Sequence, residues 1–320
     1  MPAEQNIMGV AADFDRAKVR DIDIWDKRLK ADPGETFVVW SHQDPFYILP
    51  TSDAPQAVVT RYEDARLALS DHARFSNVKR PWPGTERYYY WQGLPVVTDT
   101  DPPTHTKLRL LLSPAFSPRR LASVEEGVQA YVATLLDEIA AKGDGFDVMA
   151  DFGRRLSVHM LLGLLMDIPE ADRKLFVAVS DGLNEFASLP PGGSAPKSYL
   201  YAWAAARAYC EQVIALRRKN PTDDLVSHII TAHDTEGKLT TDELFATFVI
   251  LYMAGLSGVA HLVGWMLWRL CRHPDQLKLL QDDPGLLNNA IEETLRIEPI
   301  GYTAIRFAQT DMELSGLRIY

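Results

Sequence analysis

Asp101-Pro-Pro-Thr-His-Thr-Lys-Leu-Arg109 is the stretch on which the reading of this chain turns. Asp101 can cap a helix, and Pro102 and Pro103 suit its first turn. His105 and Arg109 then stand four residues apart, so both side chains leave one helix face. Two donors fixed on one face make a clamp for a carboxylate pair or a phosphate. A solvated helix face is the plainer reading of the same pair, so the rest of the chain has to decide.

Outward from that clamp the pattern is helical. Apolar periodicity predicts helices over 121–141, 152–165, 170–186 and 198–218, with later ones over 274–280 and 285–297. Gly143-Asp144-Gly145 and Asn220-Pro221 punctuate them. Residues 46–49 and 57–60 read as a short hairpin, 63–70 as a helix, and 233–239 as a polar strand-turn. Thr240 or Thr241 can cap a long helix through the middle of the chain. From Leu244 to Trp268 there is no Asp, Glu, Lys or Arg. That is long enough to span a membrane, but Thr247, Ser257, His261 and three glycines dilute it, and amphipathic helices flank it. The reading is a helix through the middle of a large domain, apolar all round because it is buried all round.

The chain has 320 residues and a net charge of −10, which argues against a nucleic-acid or anionic-membrane surface. Two cysteines indicate no disulfide framework and fit a reducing compartment. Glu4, Asp13 and Asp15 bracket the one short apolar run near the N-terminus, unlike a signal or transit segment. Cytoplasm is the expected location. No repeat or flexible linker is evident, so residues 1–320 are read as a single, mainly α domain with a small β-region at its edge. The hairpin and a strand-rich tail over 307–320 are expected to build that sheet.

Several short motifs succeed one another in a fixed order: Ala57-Val-Val-Thr-Arg-Tyr-Glu-Asp64, Arg74-Phe-Ser76, the clamp running on to Pro114-Ala-Phe-Ser117, and Asp223-Asp-Leu225. Then come Ala254-Gly-Leu-Ser-Gly258, Arg272-His-Pro274, Glu293-Thr-Leu-Arg296 and Thr303-Ala-Ile-Arg306. In that order and spacing, over nearly the whole chain, they resemble the cytochrome P-450 superfamily of haem-thiolate monooxygenases, specifically its soluble bacterial members. The resemblance implies a cytochrome P-450-like helical fold and haem b as cofactor. It implies that His105, Arg109 and Arg306 donate to the haem propionates, and that Ala254 and Gly255 let the haem approach the central helix. Glu293 and Arg296 correspond to a structural pair. Tyr88, Trp91, Leu183, Met253, Leu256, Ile300 and Tyr302 are expected around a substrate pocket, and residues 183–191 resemble a mobile lid. Implied partners are a small hydrophobic substrate and a ferredoxin-like or flavoprotein electron donor, with no nucleic acid and no membrane.

Two parts of the family pattern are missing. The axial cysteine lies in a Gly-rich loop near the family's C-terminus, where its thiolate favours O–O cleavage. Cys210 and Cys271 have no such surround, and both read as buried structural thiols. The chain ends within what looks like a hairpin preceding that loop, so it is read as incomplete. The positions of the proton-relaying acid and hydroxyl are Ser257 and Gly258. Serine can pass a proton but cannot supply one as a carboxylic acid does. His261, one turn on, is expected to be a satisfied core histidine. Gly255 is expected to face the ligand and Gly264 to serve close helix packing.

Two functions of different class are consistent with these residues. One is a haem-dependent monooxygenase whose chain as it stands is inactive. The other is a degenerate, haem-free family member that binds or assists another enzyme. The missing thiolate and relay favour the second; retention of His105, Arg109 and Arg306 favours the first. A peroxide-driven enzyme is a weaker third, since it dispenses with the relay but not with the ligand.

Overall fold

The computed structural model describes residues 46–49, 56–78, 91, 93–143, 145–187, 194–236, 240–301 and 303–319. Strands β1 (Phe46–Leu49) and β2 (Gln56–Val59) lead into α1 (Tyr62–Ser70) and β3 (Phe75–Ser76). Helices α2 (Thr104–Leu112) and α3 (Pro118–Lys142) come next. After them runs a stretch of helix in which π-wound turns, Val148–Gly153 and His159–Leu165, flank α4 (Arg154–Val158). Then come α5 (Glu170–Ala187), α6 (Lys197–Lys219), α7 (Leu225–Glu236) and the long α8 (Thr241–Arg272). The chain continues through α9 (Pro274–Asp282), α10 (Leu287–Ile297), β4 (Phe307–Ala308), β5 (Met312–Leu314) and β6 (Leu317–Ile319). The helical periodicity is realised throughout. Residues 233–236, expected in a strand-turn, instead finish α7.

The central helix starts where its capping residues dictate. Thr240 accepts from the Glu243 backbone N–H at 3.1 Å, and Glu243 accepts from the Thr240 N–H at 2.7 Å. Its first half is buried: Leu244, Phe245, Phe248, Val249, Tyr252, Met253 and Leu256 enter the main core. Aromatic rings from α5 and α6 meet it edge-on, Phe176 on Tyr252 at 5.0 Å and Trp203 on Phe245 at 5.8 Å. The second half differs from the all-round burial expected. Residues 261–272 lie half-buried or exposed, with Leu267 and Trp268 more than 40% exposed. By length and composition alone α8 would cross a membrane, and half of its most apolar window is buried in protein.

The β-region is arranged differently from the expectation too. Among the described residues the N-terminal hairpin pairs only within itself, and β5 pairs only with β6. The link across the chain is the antiparallel β3–β4 ladder, Phe75 opposite Ala308 and Ser76 opposite Phe307. The three ladders nevertheless share a small core in which Phe75 and Leu314 are buried against Val59, Leu67 and Met312. Ser315 donates to the buried Asp64 at 2.6 Å, tying the tail to α1.

Lys107 joins α2 to the head of the central helix, its ammonium 2.9 Å from each Glu243 carboxylate oxygen. Burial raises the Glu243 pKa. The Thr240 N–H and Lys107 outweigh it, so the carboxyl sits below its ordinary range. A depressed carboxyl pKa stabilises the fold above the unfolded value, and that contribution fades as pH falls through the folded one. Glu243→Gln should therefore lower the unfolding free energy by about 1–3 kcal/mol at neutral pH. Urea denaturation of the two proteins should show the gap narrowing below about pH 4; an unchanged gap at lower pH would remove Glu243 from the account.

Candidate functional site

Asp101 organises the clamp, though not as a cap. Its carboxylate accepts from the Asn77 backbone N–H at 2.9 Å and from the Ser76 hydroxyl. These bonds outweigh the effect of burial and hold its pKa below the ordinary value. Pro103 precedes α2, and only the backbone carbonyl of Asp101 serves the helix, accepting from His105 N–H at 2.9 Å. His105 is half-buried and Arg109, one turn on, is exposed. Leu108, only 2% exposed, anchors the helix between them.

Arg306 reaches the same corner through the ladder. It precedes Phe307, which pairs with Ser76, which binds Asp101. The Asp101 carboxylate acts on the Arg306 guanidinium, partly offsetting the burial that pulls its pKa below that of an ordinary arginine. Arg306 Nη1 donates to the Ile305 carbonyl at 2.9 Å, while its buried Nε has no partner among the described residues. The start of α2 and Arg306, about two hundred residues apart in sequence, are thus neighbours in the fold.

Along α8, Ala254 is exposed among buried and half-buried neighbours, and Gly258 faces space that, among the described residues, only Ile300 approaches. A Cβ added at Gly258 would stand 3.6 Å from Ile300 Cδ1, and Ile300 itself is 51% exposed. Ala254, Gly258 and Ile300 therefore present an open apolar surface.

Other expected site residues lie elsewhere. Gly255, expected to face a ligand, abuts the protein: an added Cβ would meet Leu161 at 2.5 Å. Gly264 does serve packing, against Met149 at 2.5 Å on the same measure. Leu183, Met253 and Leu256 are buried in the main core, and Trp91 packs half-buried over Ala246 and Ile250. Tyr88 and Tyr302 lie outside the described residues, as do residues 188–191 of the expected lid. Glu293 and Arg296 form the expected pair, with guanidinium bonds of 2.6 and 2.8 Å to the carboxylate. His261 is satisfied but exposed rather than in the core; its Nδ1 lies 2.8 Å from the Ser257 carbonyl.

The cysteines divide. Cys210 is buried and burial pushes its thiol up to about 12, so it stays protonated and inert. Cys271, expected to be buried, is exposed near the far end of α8. At ~1.5 Å per residue it is about 20 Å along the helix from Gly258. Neither sulfur stands at the Ala254–Gly258 surface. Among the described residues no cluster of His, Cys, Asp and Glu is arranged to hold a metal ion.

The chain as a whole has counterparts among known proteins. The family model for cytochrome P450 matches residues 36–320. Cytochrome P450 CYP107DY1 of Priestia megaterium is 30% identical over 87% of this chain and 70% of its own length. The 6-deoxyerythronolide B hydroxylase of Saccharopolyspora erythraea is 33% identical over 82% of this chain and 66% of its own. The crystal structure of the myxobacterial cytochrome P450 CYP267B1 in complex with myristic acid superposes with a TM-score of 0.82 at 28% identity. That match covers 92% of this chain and 74% of the other. The chain belongs to the cytochrome P450 family, a family of haem proteins. It spans about two thirds to three quarters of the length of these relatives.

The two glycines at the head of the patch make opposite predictions. Gly255→Ala has to displace Leu161 from a close-packed core and should destabilise the protein by about 1–2 kcal/mol. Gly258→Ala has room, and the gain in helix propensity should leave it neutral or up to ~1 kcal/mol more stable. Thermal melts of both variants check this; equal effects would contradict the packing.

Proposed function

We propose that this chain is the helical body of a haem-dependent monooxygenase acting on a small hydrophobic substrate. The observation that carries the reading is the orphan Nε of Arg306, a buried charged donor with no protein acceptor among the described residues. A cationic donor atom buried without an acceptor calls for one, and an anion serves best. His105 on α2 supplies a second donor nearby and Arg109 a third, which suits the two propionates of one porphyrin. Haem, when bound, supplies dioxygen activation and oxygen insertion into a C–H bond. The residues' part is to hold the porphyrin edge at Arg306 and His105 and to leave room over Ala254 and Gly258. Ile300, beside Gly258, would bound the substrate side. Relatives that bear the name hydroxylase support the reaction class. Electron supply from a ferredoxin-like or flavoprotein donor and a cytoplasmic location complete the reading.

The fit is incomplete in one respect. The porphyrin-edge donors suit haem, but no described side chain is placed to be its axial sulfur, because Cys210 is core and Cys271 is remote. The Ser257–Gly258 pair favours the second reading, a haem-free helper of another enzyme. Haem titration of the 320-residue chain separates the two. On the first reading hemin binds with a Soret band, and Arg306→Met weakens binding about tenfold, equivalent to ~1.4 kcal/mol. The ferrous–CO complex should lack the red-shifted band that thiolate ligation produces. Absence of hemin binding would favour the helper, binding indifferent to Arg306 and His105 would remove them as propionate donors, and a thiolate-type CO band would show that a sulfur ligand had been misplaced.

A further inference from the structure

The irregular run of helix between α3 and α5 meets the central helix twice. Its first π-wound turn, Val148–Gly153, shares with α4, α5 and Ser257 a cleft of 290 Å³, across which Arg154 donates to Asp181. Its second, His159–Leu165, closes with Met166 N–H donating to the Leu161 carbonyl, five residues back, at 3.0 Å. Such turns are rare inside α-helices and gather at functional sites, so what holds this one matters.

Three contacts hold it, each on a different neighbour. His159 stacks on Tyr131 of α3, with ring centroids 3.8 Å apart and planes 10° from parallel. Leu161, 4% exposed, fills the space beside Gly255 of α8, 2.5 Å from where a Cβ would stand. The Arg173 guanidinium of α5 lies against Gly163, 2.8 Å from a Cβ placed there, and Arg173 Nε donates to the Ile168 carbonyl at 2.9 Å. The charges that act on His159 are Arg173 and Glu170, both of α5, while Tyr131 meets its ring. Tyr131 in turn meets Arg155 of α4, which is paired with Glu138 at 2.5 Å. The central helix adds no charge, since Leu244 to Trp268 holds no Asp, Glu, Lys or Arg. Burial and the Arg173 charge hold the half-buried imidazole below its ordinary pKa, with Glu170 opposing them.

We propose that His159 is an acid-operated latch on this turn, which seats Leu161 against Gly255 when the imidazole is neutral and loosens that seat when it is charged. The imidazolium and the Arg173 guanidinium are like charges bearing on one turn of helix. Cation–π attraction to Tyr131 keeps the ring in place as it charges, so the group displaced is Arg173. Its departure frees Gly163 and the Ile168 carbonyl together. Leu161 lies between His159 and Gly163 in the same turn, so its contact with Gly255 gives way with them. Glu170 is exposed, and a solvated carboxylate offsets little of the repulsion. From the ordinary histidine value down to the folded midpoint, the unfolded chain takes up a proton that the folded chain does not. Stability therefore falls as pH falls through that window, and this group removes no more below it. The outcome is a central helix less tightly packed at Gly255, next to Ala254, in acid. The latch needs no haem and goes beyond the monooxygenase reading.

A pH titration of the unloaded chain by NMR tests this. The His159 ring should titrate below the ordinary histidine value, and the Leu161 methyl signals should shift with the same midpoint. Arg173→Gln should raise that midpoint and Glu170→Gln should lower it. His159→Phe retains a ring to stack on Tyr131 and should leave the Leu161 methyls insensitive to pH. In thermal melts the loss of Tm on acidification should be smaller in His159→Phe than in the unaltered protein. Should that variant not fold, the shared midpoint and its opposite displacement in the two α5 variants still decide. Leu161 methyls that do not follow His159, or a midpoint unmoved by Arg173→Gln, overturn the latch. Hemin affinity does not enter, so a failure of the haem reading leaves this test intact.

Discussion

The Thr240–Glu243–Lys107 node is the interaction from which the rest of the site takes its position. A helix of 32 residues needs a defined start, because sliding it by one residue would rotate every side chain by about 100°. The capping box fixes that start in sequence, and the Lys107 ion pair fixes it in space against α2. Leu108 then locks α2 into the core. With both helices set, His105 on one and Ala254 and Gly258 on the other have determined places. The pair is worth forming because Glu243 is buried and its oxygens are fully used. Leaving one partner unpaired there costs more than the pair itself contributes.

How much of this was legible in the sequence depended on the range of the interaction. The Thr240 capping box, the helical periodicity and the Glu293–Arg296 pair are local, spanning three or four residues, and each appears where the pattern places it. The β3–β4 ladder is two residues long on each side, too short for alternation to register, and its partners are over two hundred residues apart. Nothing in the local pattern of Arg74-Phe-Ser76 announces Phe307. The resemblance to the family supplied Arg306 as a site residue, but only the pairing explains why it lies beside Asp101. Asp101 itself misled: an aspartate before a proline-led helix is a capping signal, yet the side chain was taken by Ser76 and Asn77.

Glycine shows the same limit more sharply. Gly255, Gly258 and Gly264 lie on one helix, and propensity treats them alike. Their neighbours do not: Leu161 fills the space beside Gly255, Met149 the space beside Gly264, and only Gly258 opens toward Ile300. Which glycine admits a ligand is a property of the neighbouring helices. The π-wound turns beside α4 carry both Met149 and Leu161, so the same irregular run of helix that closes two glycines leaves the third free. Sequence periodicity read that run as a continuous helix over 152–165 and so had no means of telling them apart.

The uneven burial of α8 bears on function as much as on stability. Its first half is surrounded because α5, α6 and the π-wound run each bring a hydrophobic face to it. From Ser257 onward the surroundings loosen, and residues 261–272 are half-buried or exposed. A helix buried on all sides offers no approach to water or to a ligand, and one exposed on all sides excludes neither. Ser257 lines a polar cleft, and Gly258, the next residue, opens toward Ile300. A carboxylate at Ser257 would place charge beside the Arg154–Asp181 pair, and a branched residue at Gly258 would bring its γ atoms toward Ile300 Cδ1. Serine and glycine at these two positions therefore match their surroundings in this fold.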